Sequence, residues 1–156
     1  MIKLIHGDLL DAKTDIIAHQ TNCMGIMGAG VALAIKQKYP KVFAQYRIHC
    51  NNRLRGFELL GSCQECPTDQ RSNPQYVANL FGQDRIGHRT TDYKALKQAM
   101  TELRAFMQMW DYTSVAMPYG IGCGLAGGNW DTVQGIIEEV FGPFPNITVE
   151  LWKLDA

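Results

Sequence analysis

The chain has no excess of either charge. Lys and Arg together number 15, as do Asp and Glu, so no global field draws it to DNA or to a lipid surface. No apolar run approaches the length that spans a bilayer, and the first residues, MIKLIHGDLL, lack the apolar core of a signal peptide. Five cysteines in a chain with no such leader are expected to be reduced thiols, which points to the cytoplasm. Cys63 and Cys66 have metal-ligand spacing, but no second pair completes a four-ligand set, so no metal is assigned. That pair also lacks the strand-turn-helix setting of a redox motif, and buried or half-buried thiols are expected. Two nucleotide-binding signatures are missing as well. There is no GK[ST] of a P-loop, and the glycines near residue 30 do not complete GxGxxG, nor does an acidic residue follow at the ribose-binding spacing. A nucleoside triphosphatase and a dinucleotide dehydrogenase are both poor fits.

What remains is ordinary for a folded domain: 156 residues, 46% hydrophobic, 19% charged and 10% aromatic, enough for one core and one domain over 1–156. No repeat, low-complexity tract or linker interrupts it. Periodicity predicts strands at 2–7, 15–21, 57–63, 75–82, 114–117 and 146–154. Helices are expected over 31–39, closed by Pro40, over 41–50 with Val42, Phe43, Tyr46 and Cys50 inside, over 92–110, and from Trp130 to Phe141 before Gly142 and Pro143. In the third of these, Tyr93, Leu96, Met100, Leu103, Met107 and Trp110 recur at helical spacing, with Thr91 or Asp92 as cap, and are read as core. Strands alternating with helices predict an α/β fold, a three-layer α/β/α sandwich with a mixed, largely parallel central sheet.

Two segments stand out in that pattern. GIMGAG (25–30) and GIGCGLAGG (120–128) each leave a buried strand and enter a helix. In a parallel sheet such loops meet at the carboxyl ends of the strands, where ligands of open α/β sheets bind. Glycine allows close backbone approach, and a helix N-terminus favours an anion, so two facing loops suit a diphosphate without Lys or Arg. The plainer reading is a pair of tight turns.

Together, the stretches IKLIHGDLLDAKTDIIAHQTNCMGIMGAGVALAIKQKYP and MPYGIGCGLAGGNW resemble the macrodomain family of ADP-ribose-binding α/β/α modules. The resemblance covers nearly the whole chain. It is greatest to the branch of terminal ADP-ribose glycohydrolases and fungal ADP-ribose-1''-phosphate phosphatases, and rests on GDL (7–9), on HxxNxxGxxGxG (19–30) and on PYGIGCG (118–124).

The resemblance implies roles for particular residues. Asp8 accepts the adenine amino group, and Leu9 lends a backbone N–H to the ring; Asp8 also suits a local turn. Asn22 hydrogen-bonds the distal ribose, or else only stabilises its own loop. Gly28, Ala29, Gly30 and Val31 form the first phosphate loop, and Gly120, Ile121, Gly122, Cys123, Gly124 and Leu125 the second. Cys123 is read as a small residue of that loop, since no base is paired with it as for a nucleophile.

For catalysis, His19 is a candidate acid or base, although a histidine on a buried strand is also a common core residue. Asp84 is the candidate carboxylate to pair with it, or a solvated loop charge. The glycohydrolases of this branch carry a lysine after the fourth strand and an aspartate in the second loop. Here those places read Gly82-Gln83 and Ala126, which argues against a lysine adduct.

The implied activity is cofactor-free hydrolysis of an ADP-ribose derivative, on a protein or nucleic acid or as the 1''-phosphate, with water oriented by His19, Asn22 and Asp84. A reader of ADP-ribose without turnover is the alternative, and an NAD-dependent oxidoreductase the weakest reading.

Overall fold

A computed structural model describes residues 1–52 and 59–155. The strands are β1 (Ile2–His6), β2 (Ile16–Thr21), β3 (Cys63–Pro67), β4 (Tyr76–Phe81), β5 (Ser114–Pro118) and β6 (Thr148–Lys153). They form one sheet in the order β1-β6-β5-β2-β4-β3. Every pairing is parallel except β3 with β4, which is antiparallel and closes one edge. β2 lies near the middle because IIAHQT is buried along almost its whole length, as a parallel strand covered on both faces must be. β1, at the opposite edge, is only half-buried or exposed throughout.

The pleat sends alternate residues of β2 to different layers. Ile16 and Ala18 pack with helices α3 (Tyr93–Met109) and α4 (Trp130–Phe141) through Leu96, Met100, Leu103, Val133 and Ile137. Ile17 faces the other way, toward Ile35 of α1 (Gly30–Lys38) and Val42 of α2 (Pro40–Asn51). The three expected layers are therefore present. By the same alternation His19 shares the α1/α2 side with Ile17, and its register partner on β4 is Asn79.

Helix ends follow their caps. The Asp92 carboxylate accepts from the Ala95 amide at 3.0 Å to open α3, and the Asn129 side chain accepts from Thr132 N–H to open α4. Pro40 does more than close α1: it is the first residue of α2, where its missing N–H costs nothing. Three expectations need correction. The run at 57–63 is not a strand before its last residue, since 59–61 are helical or turn residues and β3 begins only at Cys63; residues 57 and 58 lie outside the described residues. Tyr93 and Trp110 are exposed rather than core, at 37% and 62%. They sit at the two ends of α3, where the helical period runs past the edge of the sheet.

Candidate active site

The loops that leave the carboxyl ends of β2, β4 and β5 converge on a cavity of about 590 Å³. That volume suits a small-molecule ligand. Gly28, Ala29, Gly30 and Val31 line it from one side, and Gly120, Ile121, Gly122, Gly124 and Leu125 from the other. His19 and Asn22 line it too. None of the lining residues is Lys, Arg, Asp or Glu.

The backbone supplies what charged side chains do not. Helix α1 starts from Ala29, which offers no side-chain cap, so the first-turn amides and the helix dipole face the cavity. In the second loop the amides of Ile121 and Cys123 turn back to Pro118 and Gly120 carbonyls, at 3.0 and 2.8 Å. Among the described residues, those of Gly120, Gly122 and Gly124 donate to no carbonyl. Gly120 and Gly122 hold φ at +80° and +77°, left-handed values that alternate with the ordinary ones of their neighbours. Such alternation is the backbone conformation of the concave nests that suit anions.

At the end of β2 three consecutive residues bury polar atoms without a protein partner: His19 Nδ1, Gln20 Oε1 and Thr21 Oγ1. All three residues line the cavity. The state of His19 follows from its neighbours. Asn79 Nδ2 donates to Gln64 Oε1 at 3.1 Å, which turns Asn79 Oδ1 toward the imidazole, 2.7 Å from Nε2. Nε2 therefore carries the proton and Nδ1 the lone pair. Burial lowers the His19 pKa to about 4, against a smaller upward pull from the Asn79 hydrogen bond. The ring is neutral at pH 7, an acceptor and base with its tautomer fixed by β4.

Asn22 is engaged on both ends. Its Oδ1 accepts from the Met24 amide at 2.9 Å and lies 2.7 Å from the Tyr46 hydroxyl, and its Nδ2 donates to Ile26 O at 2.9 Å. It thus braces the first loop, with one Nδ2 hydrogen left for a ligand. Burial raises the Tyr46 pKa, so its hydroxyl stays a donor.

Other sequence candidates lie outside the lining. Asp84 is exposed; its backbone carbonyl accepts from Cys23 N–H at 3.0 Å, while its carboxylate stays in water. Asp8 caps the short 3-10 turn Leu9–Asp11 through Leu10 N–H at 2.9 Å, and the Leu9 side chain is buried beneath α1 and α2. The Cys123 side chain packs on the core rather than into the cavity, its thiol 3.4 Å from Ile121 O, and burial raises its pKa, which suppresses the thiolate. Among the described residues no three His, Cys, Asp or Glu side chains converge as around a metal ion.

The sequence reading missed Gln20, Asn79, Tyr46, Ile86 and Tyr119. Gln20 Nε2 donates to Gln83 Oε1 at 2.9 Å and to Thr91 Oγ1 at 3.0 Å, tying β2 to the loop after β4. A Cβ at Gly82 would collide with the Gln20 carboxamide. Where a lysine is expected the chain therefore has a close-packed glycine and a tethered amide. Ala126 lines the opposite wall and its carbonyl receives the Thr90 amide at 3.0 Å. Asn79, a polar residue in the apolar strand YVANLF, carried a signal that could have been read. Tyr46 carried none.

An α/β/α sandwich that brings two glycine loops to the mouth of a parallel sheet defines a module for phosphate-bearing ligands. The chain belongs to the Macro domain family, whose model matches residues 18–137. It is 28% identical over 152 residues to a DNA ADP-ribosyl glycohydrolase of Mycobacterium tuberculosis, covering 97% of this chain and 42% of that protein. It is 34% identical over 99 residues to an ADP-ribose 1''-phosphate phosphatase of Meyerozyma guilliermondii, covering 56% of this chain and 57% of the relative. Among solved structures, the macrodomain of Mycobacterium tuberculosis DarG superposes with a TM-score of 0.86 at 27% identity over 97% of each chain. The chain thus spans well under two thirds of the length of these curated relatives.

Proposed function

We propose that the cavity binds ADP-ribose and that the protein hydrolyses an ADP-ribose derivative at the distal ribose. The observation that carries the reading is an uncharged cavity with two arrays of free backbone amides and, at its floor, a neutral histidine with an unpaired lone pair. The amide arrays take the diphosphate, as helix N-termini and backbone nests do for anions. A buried acceptor without a partner costs about 1–3 kcal/mol, and a ligand hydroxyl or a water donating to His19 Nδ1 would recover it.

Turnover then needs no metal in the scheme. A water held by His19 and Asn22 attacks C1'' of the distal ribose, or the phosphorus of a 1''-phosphate. Its proton passes to His19 Nδ1, and the bond to the leaving group breaks with the electron pair on that group. The amides beside the diphosphate fix the ribose relative to the water, the orientation term of catalysis. Asp84, exposed and outside the lining, has no part in this scheme; its peptide carbonyl accepts from Cys23 N–H instead.

A second reading is a module that holds ADP-ribose without cleaving it, favoured by the lack of any Lys or carboxylate in the lining. Incubation with an ADP-ribosylated DNA oligonucleotide, an ADP-ribosylated protein and ADP-ribose 1''-phosphate separates the two. Release of product from one of them, reduced about 10²–10⁴-fold in His19→Ala, supports hydrolysis. Tight ADP-ribose binding with no product in any of the three supports the reader.

A further inference from the structure

The pleat of β2 puts Ile17, His19 and Thr21 on one face, two residues apart. Ile17 packs in the core with Ile35 and Val42. His19 and Thr21 are almost as deeply buried, at 1% and 3% exposure, yet both line the cavity. Each keeps one polar atom without a protein partner, His19 Nδ1 and Thr21 Oγ1. Gln20, between them, points to the opposite face, where Gln83 and Thr91 hold its amide nitrogen.

The open hydroxyl of Thr21 is the less expected of the two. Other threonines of this fold donate theirs to a carbonyl: Thr14 to Ile16 O at 2.8 Å, Thr68 to Pro74 O at 2.6 Å and Thr91 to Gly122 O at 2.6 Å. A valine at position 21 would bring the same branched shape and suit the strand equally well. It would also avoid a buried hydroxyl, which costs about 1–3 kcal/mol when unpaired. A partner that arrives from the cavity explains why the hydroxyl is there. His19 Nδ1 needs a donor from the same side, because Asn79 fixes the ring proton on Nε2. One water oxygen bonded to both atoms spans up to about 5.6 Å, twice an ordinary hydrogen bond. That span is close to the rise of about 6.6 Å between residues two apart on a strand.

We propose that Thr21 holds the attacking water together with His19, as a second acceptor that fixes which lone pair faces the substrate. This role rests on the hydrolytic reading of the cavity and deepens it. One hydrogen of the water goes to His19 Nδ1 and the other to Thr21 Oγ1. One lone pair accepts from the Nδ2 hydrogen that Asn22 has to spare. Three polar partners are what a buried water ordinarily has, and they leave its fourth position, a lone pair, for the electrophile. A water so held does not turn, and that orientation lowers the barrier. On attack the first hydrogen passes to His19 as a proton. The second stays on the oxygen, still bonded to Thr21, and becomes the hydroxyl hydrogen of the product. Thr21 neither gains nor loses a proton.

The test compares the parent with Thr21→Val and Thr21→Ser. Turnover is measured on whichever of the ADP-ribosylated oligonucleotide, the ADP-ribosylated protein and ADP-ribose 1''-phosphate the parent cleaves. Crystal structures of the parent and of Thr21→Val are determined without ligand. The parent should hold a water within about 3.2 Å of both His19 Nδ1 and Thr21 Oγ1, and Thr21→Val should lose it. In Thr21→Val kcat should fall about tenfold, the scale of one hydrogen bond. KM should stay the same, because the substrate itself does not touch Thr21 before attack. Thr21→Ser, which keeps the hydroxyl, should recover the parent kcat. Parent-like kcat in Thr21→Val, no recovery in Thr21→Ser, a raised KM with kcat unchanged, or no water shared by the two atoms would each overturn the proposal and leave the hydrolytic reading standing. A parent that binds ADP-ribose and cleaves none of the three substrates would remove the hydrolytic reading, and this role of Thr21 with it.

Discussion

Acidification should destabilise this protein through one residue. His19 has an ordinary pKa of 6.5 in the unfolded chain and about 4 in the fold, where burial disfavours the imidazolium. Between those values the unfolded state binds a proton that the folded state refuses. Stability from this group is therefore unaffected above pH 6.5 and falls as the pH drops toward 4. At pH 5 the unfolded histidine is almost fully charged and the folded one almost fully neutral. The linkage relation then gives a loss of about 2 kcal/mol relative to pH 7.5. For a domain of this size that is a fall in Tm of about 4–8 °C. Glu65 and Glu102, whose pKa values are raised by burial, also respond to acid, but in the opposite sense and equally in a His19 variant. Thermal unfolding of the parent and of His19→Gln at pH 7.5 and 5.0 isolates the histidine, because Gln keeps a polar group beside Asn79 but cannot titrate in this range. The difference in acid sensitivity between the two proteins should be about 2 kcal/mol. If both lose the same amount, His19 takes up protons in the fold as readily as outside it, and the neutral-base assignment fails.

Tyr46→Phe removes the hydroxyl that lies 2.8 Å from Asn22 O and 2.7 Å from Asn22 Oδ1; the loss should be about 1–3 kcal/mol, read as a lower Tm together with weaker ADP-ribose binding. Gly122→Ala forces a side chain onto φ +77° with its Cβ 3.1 Å from Gln20 Oε1. It should cost about 1–2 kcal/mol for the left-handed backbone and weaken ADP-ribose binding; unchanged affinity would show that this loop does not meet the ligand. Borohydride added during turnover should trap no ADP-ribosyl adduct, because no lysine lines the cavity. A trapped adduct would restore a lysine mechanism.

The two glycine loops were legible because a sequence spends clustered glycines at strand-to-helix turns for close approach or left-handed backbone; the left-handed backbone is present at Gly25, Gly30, Gly120 and Gly122, and close approach at Gly122. The buried parallel strands were legible from unbroken apolar runs. β3 was not: CQECP is a short edge strand of mixed polarity whose only claim to strand structure is its pairing with β4, while the apolar FELLG before it invited the assignment. Within the site, Asn22 was read either as a ribose ligand or as a brace of its own loop; the fold shows the brace, and the residue also lines the cavity. The link from Gln64 through Asn79 to His19 crosses three strands. Such a chain is invisible until register is known, because residues 15 and 60 positions apart meet only through pairing.

ADP-ribose should bind between the two glycine loops, and every functional step proposed for this protein depends on that. Calorimetric titration of the parent protein and of Gly124→Glu with ADP-ribose tests it most directly. Gly124 lines the cavity, and an added Cβ there meets nothing within 4 Å, so the variant should fold and unfold cooperatively like the parent. Its carboxylate would project where the diphosphate must lie. One-to-one binding by the parent, and its loss in the folded variant, is the predicted result. No binding by the parent, or the same affinity in Gly124→Glu, would contradict it.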